Sequence, residues 1–75
     1  MSKEEITNRL DFIVACVGEF SMKHGLSNIE AYSYLRRFSG IEFLLKHYEA
    51  VHTLSIDEVV EDLQVLCNRN GGKVA

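Results

Sequence analysis

Tyr32–His52, YSYLRRFSGIEFLLKHYEAVH, is the stretch whose reading decides the fold. It carries Tyr32, Tyr34, Phe38, Phe43 and Tyr48, five of the seven aromatic residues of the chain. In its middle, Ser39-Gly40-Ile41-Glu42 reads as the end of one helix and the cap of the next. These rings cannot all share one narrow core stripe. Most are expected to fill the core of a small domain with tyrosine hydroxyls at its rim, and one or two to stay at the surface.

The same cap signature recurs outward from this centre. Ser2–Glu5, Ser27–Glu30, Ser39–Glu42 and Ser55–Glu58 are all Ser-x-x-Glu boxes. In such a box the serine oxygen accepts from a free amide of the first turn, and the glutamate reaches back to the serine amide. Each box precedes an apolar pattern of helical period, so the spacing predicts four helices.

Helix one is expected over Lys3–His24, with Ile6, Leu10, Ile13, Val14, Val17 and Phe20 as its core stripe and Phe12 and Cys16 widening it to one side. Gly18 reads as a weak spot in mid-helix, and Gly25 as a left-handed stop. Helix two is expected from Asn28 to about Phe38, and helix three from Gly40 to about Ala50, with one bent helix through Gly40 as the alternative. Helix four is expected from Ile56 to about Asn68, burying Ile56, Val59, Val60, Leu63, Leu66 and Cys67. Leu26 and Leu54 each precede a capping serine, the position of a hydrophobic staple. Asn70-Gly71-Gly72 reads as a terminator. The expected architecture is all-α, a four-helix irregular small bundle, with residues 1–75 as one domain and 1–2 and 71–75 frayed.

Composition narrows the function classes. A chain of 75 residues buries only about 60% of its unfolded surface, so a partner or a second copy is a natural cover for an apolar face. The net charge of −3 argues against nucleic acid, which calls for a concentrated positive surface. Cys16 and Cys67 lie far apart on apolar faces and are expected as free thiols, with one bridge between them the alternative. The N-terminus lacks the layout of a signal peptide, and no apolar run reaches membrane-spanning length, so a cytoplasmic location is expected.

Tyr34-Leu35, Gly40-Ile41, Phe43-Leu44, Tyr48, His52, Ser55 with Asp57, Val60-Glu61-Asp62-Leu63 and Asn70-Gly71-Gly72 together resemble a family of short bacterial proteins, a domain-of-unknown-function family. The resemblance runs from about Phe12 to Gly72 and is carried by the central and C-terminal segments. It implies a bacterial origin and a compact helical domain. Members are often encoded beside ADP-ribosyltransferase-like proteins, which implies an accessory or antitoxin-like partner. It brings no catalytic residues.

The candidate sites are few. His47 and His52 stand about 140° apart on a helix and cannot chelate as an i, i+4 pair would. His52 is expected to bond backbone, and His24 to gain charge from the C-terminal end of its helix. No Cys-x-x-Cys or phosphate loop is present, so no metal, cofactor or catalysis is expected. Helices two and three allow a helix-turn-helix reading, with Ile41–Ala50 as recognition helix, but it would present Glu42 and Glu49 beside Lys46 to phosphates. Tyrosine and arginine favour interface hot spots, so Tyr32, Arg36, Arg37 and Tyr48 are the candidate partner-binding residues. The expected role is a non-catalytic protein–protein interaction module, with a protein partner or self-association.

Overall fold

The computed structural model describes residues 1–72. Five helices follow in order: α1 Lys3–His24, α2 Asn28–Arg37, α3 Gly40–Lys46, α4 Tyr48–Val51 and α5 Ile56–Arg69. No strand occurs among the described residues. The described residues are all-helical, with five helices rather than the expected four. The fold is also drawn out, 38 × 22 × 21 Å, because the 22-residue α1 spans about 33 Å and outruns the helices packed on it.

Three of the four serine boxes cap as expected. Ser2, Ser27 and Ser55 have extended backbones, and their hydroxyls accept from the amides of Glu5, Glu30 and Glu58. Only Ser27 completes the reciprocal box, its amide donating to Glu30 Oε1 at 2.9 Å. That bond holds the Glu30 carboxyl below its ordinary range.

Ser39 corrects the fourth expectation. It makes no side-chain cap and sits at φ +69°, the left-handed residue just after α2. Glycine normally takes such a place. Here the adjacent Gly40 is required for another reason. A Cβ on Gly40 would stand 2.9 Å from Leu35 Cδ2 and 3.1 Å from the Leu35 carbonyl oxygen. The glycine therefore serves the close approach of α3 to α2, and serine carries the strained turn. The turn separates α2 from α3, so the chain is not one bent helix there.

The second correction lies at His47. Its φ of −109° and ψ of 20° interrupt the expected Gly40–Ala50 helix, dividing it into α3 and the single turn α4. The Phe43 and His47 rings pack at 5.1 Å beside the break. His52 does bond backbone, its Nδ1 lying 2.7 Å from the Tyr48 carbonyl oxygen.

The core centres on Phe20, Leu35, Leu44, Leu63, Val59, Val60, Cys16 and Cys67, all fully buried. Both thiols are free. α5 buries the predicted stripe, with Ile56 and Leu66 half-covered. α1 does not. It buries Ile13, Cys16, Val17 and Phe20, whereas Ile6, Leu10 and Val14 remain 46%, 56% and 70% exposed. Its inward side is the one marked by Cys16 and Phe20. Of the five aromatics of the central stretch none is fully buried; Tyr34, Phe38 and Phe43 pack around the core, Tyr48 is half-buried and Tyr32 is exposed.

Two polar fastenings close the ends. Ser21 accepts from the amides of Gly25 and Leu26 at its carbonyl, and its hydroxyl donates to the Leu26 carbonyl at 2.6 Å, fixing the α1–α2 corner. Leu26 packs on the core as a staple would, while Leu54 stays 40% exposed. At the other end Tyr34 Oη donates to the Gly72 carbonyl at 2.8 Å, and Asn70 Nδ2 to the Phe38 carbonyl at 2.8 Å. Gly72 is buried against the Phe38 ring, where a Cβ would fall 2.5 Å from Phe38 Cδ2. Of the segments expected to fray, Ser2 caps α1 and Gly72 is docked while Gly71 stays exposed; 73–75 lie outside the described residues.

The turn makes a sharp prediction for chemical denaturation. Ser39→Gly relieves the left-handed strain and should stabilise the fold by about 0.5–1 kcal/mol. Gly40→Ala should destabilise by about 1–3 kcal/mol through overpacking against Leu35. Ser27→Ala should cost about 1 kcal/mol. If Ser39→Gly were as costly as Ser27→Ala, Ser39 would be a cap after all.

Candidate functional site

Tyr32 and Arg36 stand one turn apart on α2 and are both exposed. The Ser39–Gly40 turn brings α3 back beside them. Ile41, Glu42, Leu45 and Lys46 then complete an open depression with Tyr32 and Arg36. Its floor is apolar, and its rim carries Arg36 and Lys46 against Glu42. Leu45 keeps 48% of its surface exposed, and Tyr32 43%.

On the other side of Tyr32 lies a second, more apolar depression between α1 and α2. Leu10, Ile13, Val14, Val17, Asn28, Ile29 and Tyr32 line it. Tyr32 is thus shared by both, and Ile29 beside it is 80% exposed. The two depressions meet at Tyr32, so an apolar face of α1 and α2 adjoins a mixed polar and apolar one of α2 and α3. An exposed apolar tract of this kind marks a binding surface more often than scattered exposed residues do.

The other two expected partner residues fall elsewhere. Arg37 is exposed, its guanidinium carbon 5.3 Å from the centroid of Phe38. Tyr48 is half-buried in a stack of its own. Phe12 meets it edge-on at 5.5 Å, His52 lies parallel at 4.6 Å, and the Arg9 guanidinium carbon sits 4.4 Å above its ring. Arg9 also reaches Glu49 at 3.2 Å. Tyr48 therefore ties α1 to α4. Ile29, Ile41 and Leu45 were not singled out by sequence. Helical period groups Ile41 and Leu45 with Leu44 and Tyr48 on one apolar stripe, and it is the turn that sets the two beside Tyr32.

The groups able to do chemistry are arranged differently. Burial pushes the Cys16 thiol up to about 11 and raises Cys67 as well, so both remain protonated near neutrality and lack the thiolate that attacks or binds metal. Burial also raises the Tyr34 phenol. Among the described residues no three His, Cys, Asp or Glu side chains converge as a metal site would need. No helix of the described residues is long and apolar enough to cross a membrane.

With the geometry described, comparison with known proteins adds one match. Residues 11–70 match the family described as Protein of unknown function (DUF3791). The chain belongs to the DUF3791 family. The match takes in α2 to α5, both sides of the Tyr32 tract and all of α1 from Asp11 onward. No curated protein and no solved structure matches the chain significantly.

His24 corrects a further expectation, that the helix end would favour its charge. Burial, and next the adjacent Lys23 ammonium, lower its pKa instead. Its ring packs 4.4 Å from Phe20, and its buried Nε2 has no hydrogen-bond partner. The unfolded chain, with an ordinary histidine near 6.5, binds more protons than the folded one at and below that pH. Stability should therefore fall as the pH is lowered from about 7.5 to about 5.5. Thermal melts across that window should show a smaller drop in His24→Gln than in the wild type.

Proposed function

We propose that this DUF3791 protein is a non-catalytic protein-binding module, and that Tyr32 and Arg36 with Ile41 and Leu45 form its contact surface. One observation carries the reading: Tyr32, alone among the five central aromatics, is exposed, and it stands where an apolar depression meets one rimmed by charge. An exposed tyrosine flanked by arginine supplies contact area at low entropy cost, the usual make-up of an interface anchor. Arg37 belongs to the rim of this reading and Tyr48 to the scaffold behind it.

The partner is a protein encoded beside it in a bacterial host, in the accessory or antitoxin-like manner that the resemblance implies. ADP-ribosyltransferase-like neighbours are the first to try, and both proteins would meet in the cytoplasm. The buried, protonated thiols and the open, shallow depressions support a binding role over a catalytic one. The helix-turn-helix alternative draws less support. Its recognition helix would be broken at His47, and Glu42 stands in its first turn, where it would meet phosphates.

Co-expression with the neighbouring gene products tests this. The tagged chain should retain one of them, and Tyr32→Ala or Arg36→Glu should release it with the melting temperature unchanged, each weakening capture about tenfold or more. Capture of the same protein by both variants would move the contact surface away from Tyr32. Retention on heparin up to raised salt, with no protein captured, would favour the DNA-binding reading.

A further inference from the structure

Asn70-Gly71-Gly72 ends α5 and is tied to α2 and its C-cap Phe38. Asn70 Nδ2 donates to the Phe38 carbonyl and Tyr34 Oη to the Gly72 carbonyl, each at 2.8 Å, and Gly72 is buried against the Phe38 ring. Asn70 is also the reactive asparagine of the chain. Of Asn8, Asn28, Asn68 and Asn70, it alone is followed by glycine. The others lie inside helices and precede Arg9, Ile29 and Arg69, whose side chains crowd their own main-chain nitrogens. The Gly71 nitrogen has no such shield, and Asn70 and Gly71 are both exposed to water.

We propose that Asn70 is a site of self-modification gated by this tie: opening lets the Gly71 nitrogen displace the Asn70 side-chain amide, and the acid that results cannot re-form the tie. In the first step the Gly71 main-chain nitrogen attacks Asn70 Cγ. An N–Cγ bond forms, the Cγ–Nδ2 bond breaks, and the side-chain nitrogen leaves as ammonia, taking the proton from the Gly71 nitrogen. Water then opens the cyclic imide, giving its hydroxyl to one ring carbonyl carbon and its remaining hydrogen to the nitrogen. Opening at Cγ leaves aspartate. Opening at the main-chain carbonyl carbon leaves isoaspartate, whose main chain runs through Cβ. Nothing is oxidised or reduced, and water is the reactant consumed.

The closed tie holds the reacting atoms apart. At a ψ of 10° the Gly71 nitrogen lies over the main-chain nitrogen of Asn70 rather than over its Cβ, so ring closure requires a large rotation about Cα–C. That rotation breaks the bond from the Gly71 amide to the Asn68 carbonyl, 3.1 Å, and the bond from the Gly72 amide to the Cys67 carbonyl, 2.9 Å. It also lifts Gly72 from Phe38. Local opening of the chain end is therefore the gate.

The product does not fit the closed form. A carboxylate has no hydrogen to give the Phe38 carbonyl, so two acceptors would face each other where the 2.8 Å bond stood. The new negative charge falls at the C-terminal end of α5, where the helix dipole disfavours it. In isoaspartate the added main-chain carbon displaces Gly72, which has no slack: a Cβ there would already fall 2.5 Å from Phe38 Cδ2. Each conversion thus releases the C-terminal segment irreversibly and uncovers Phe38.

Incubation of the wild-type chain near neutral pH, native and in urea, followed by peptide mass spectrometry, tests the proposal. In urea the amide-to-acid mass gain should appear at Asn70 ahead of Asn8, Asn28 and Asn68. In the native protein it should appear there about tenfold or more slowly. Tyr34→Phe removes one bond of the tie and none of the reactants, so it should speed the native reaction several-fold and leave the urea rate unchanged. In Asn70→Asp the Gly72 amide should lose about tenfold or more of its protection from hydrogen exchange, with the helical circular dichroism retained. Deamidated wild type, isolated by ion exchange, should match it. Conversion at another asparagine first overturns the site, and equal rates in native protein and urea, or a native rate indifferent to Tyr34→Phe, overturn the gate. Undiminished Gly72 protection in Asn70→Asp and in the deamidated chain overturns the lasting release.

Discussion

The close approach of Gly40 to Leu35 is the contact on which the rest of the architecture depends. With hydrogen in place of a side chain, α3 starts against the last turns of α2. The reversal happens within two residues, so the left-handed conformation falls on Ser39. Leu44 is thereby directed into the centre, beside Leu35 and Leu63, while Ile41 and Leu45 emerge next to Tyr32 and Arg36. A looser turn would leave the same residues without a common surface. The strain at Ser39 is thus offset by packing that only the tight turn allows, a trade a small core can support at few positions.

Much of this was legible in the amino-acid order because helix ends are local events. Ser2, Ser27 and Ser55 cap where the spacing says they should, since each follows a segment free to adopt extended backbone. Ser39 has the same pattern but follows directly on α2, whose C-terminal geometry claims it first. Which side of α1 faces inward was not legible. The run from Phe12 to Gly18 is apolar all round, so periodicity identifies a helix without orienting it; Phe20 and Cys16 settle the matter only once α5 is in place. The break at His47 has no proline or glycine to announce it.

Of the candidate surface, the α2 half was readable from Tyr32 and Arg36 as an i, i+4 pair. Ile41 and Leu45 join it through tertiary geometry, which no local pattern encodes. Tyr48 has the chemistry of a contact residue and is half-buried, with Arg9 and Phe12 of α1 reaching across to it. Gly72 shows the reverse case. It looked like simple punctuation, yet its missing side chain admits the Phe38 ring and its carbonyl receives the Tyr34 hydroxyl. The family match over residues 11–70 takes in Phe12, Tyr34, Phe38 and Tyr48 but stops short of Arg9 and Gly72.

Cys16 and Cys67 sit on different helices, at opposite ends of the chain in sequence, and both are wholly enclosed. Neither sulfur can meet a reagent in solution unless the helices around it part. The rate at which a thiol-specific label reacts is therefore a clock for opening, one for the first helix and one for the last. Equal rates would mean that the bundle comes apart as one unit; a faster Cys67 would mean that the C-terminal helix lifts away while the remainder holds.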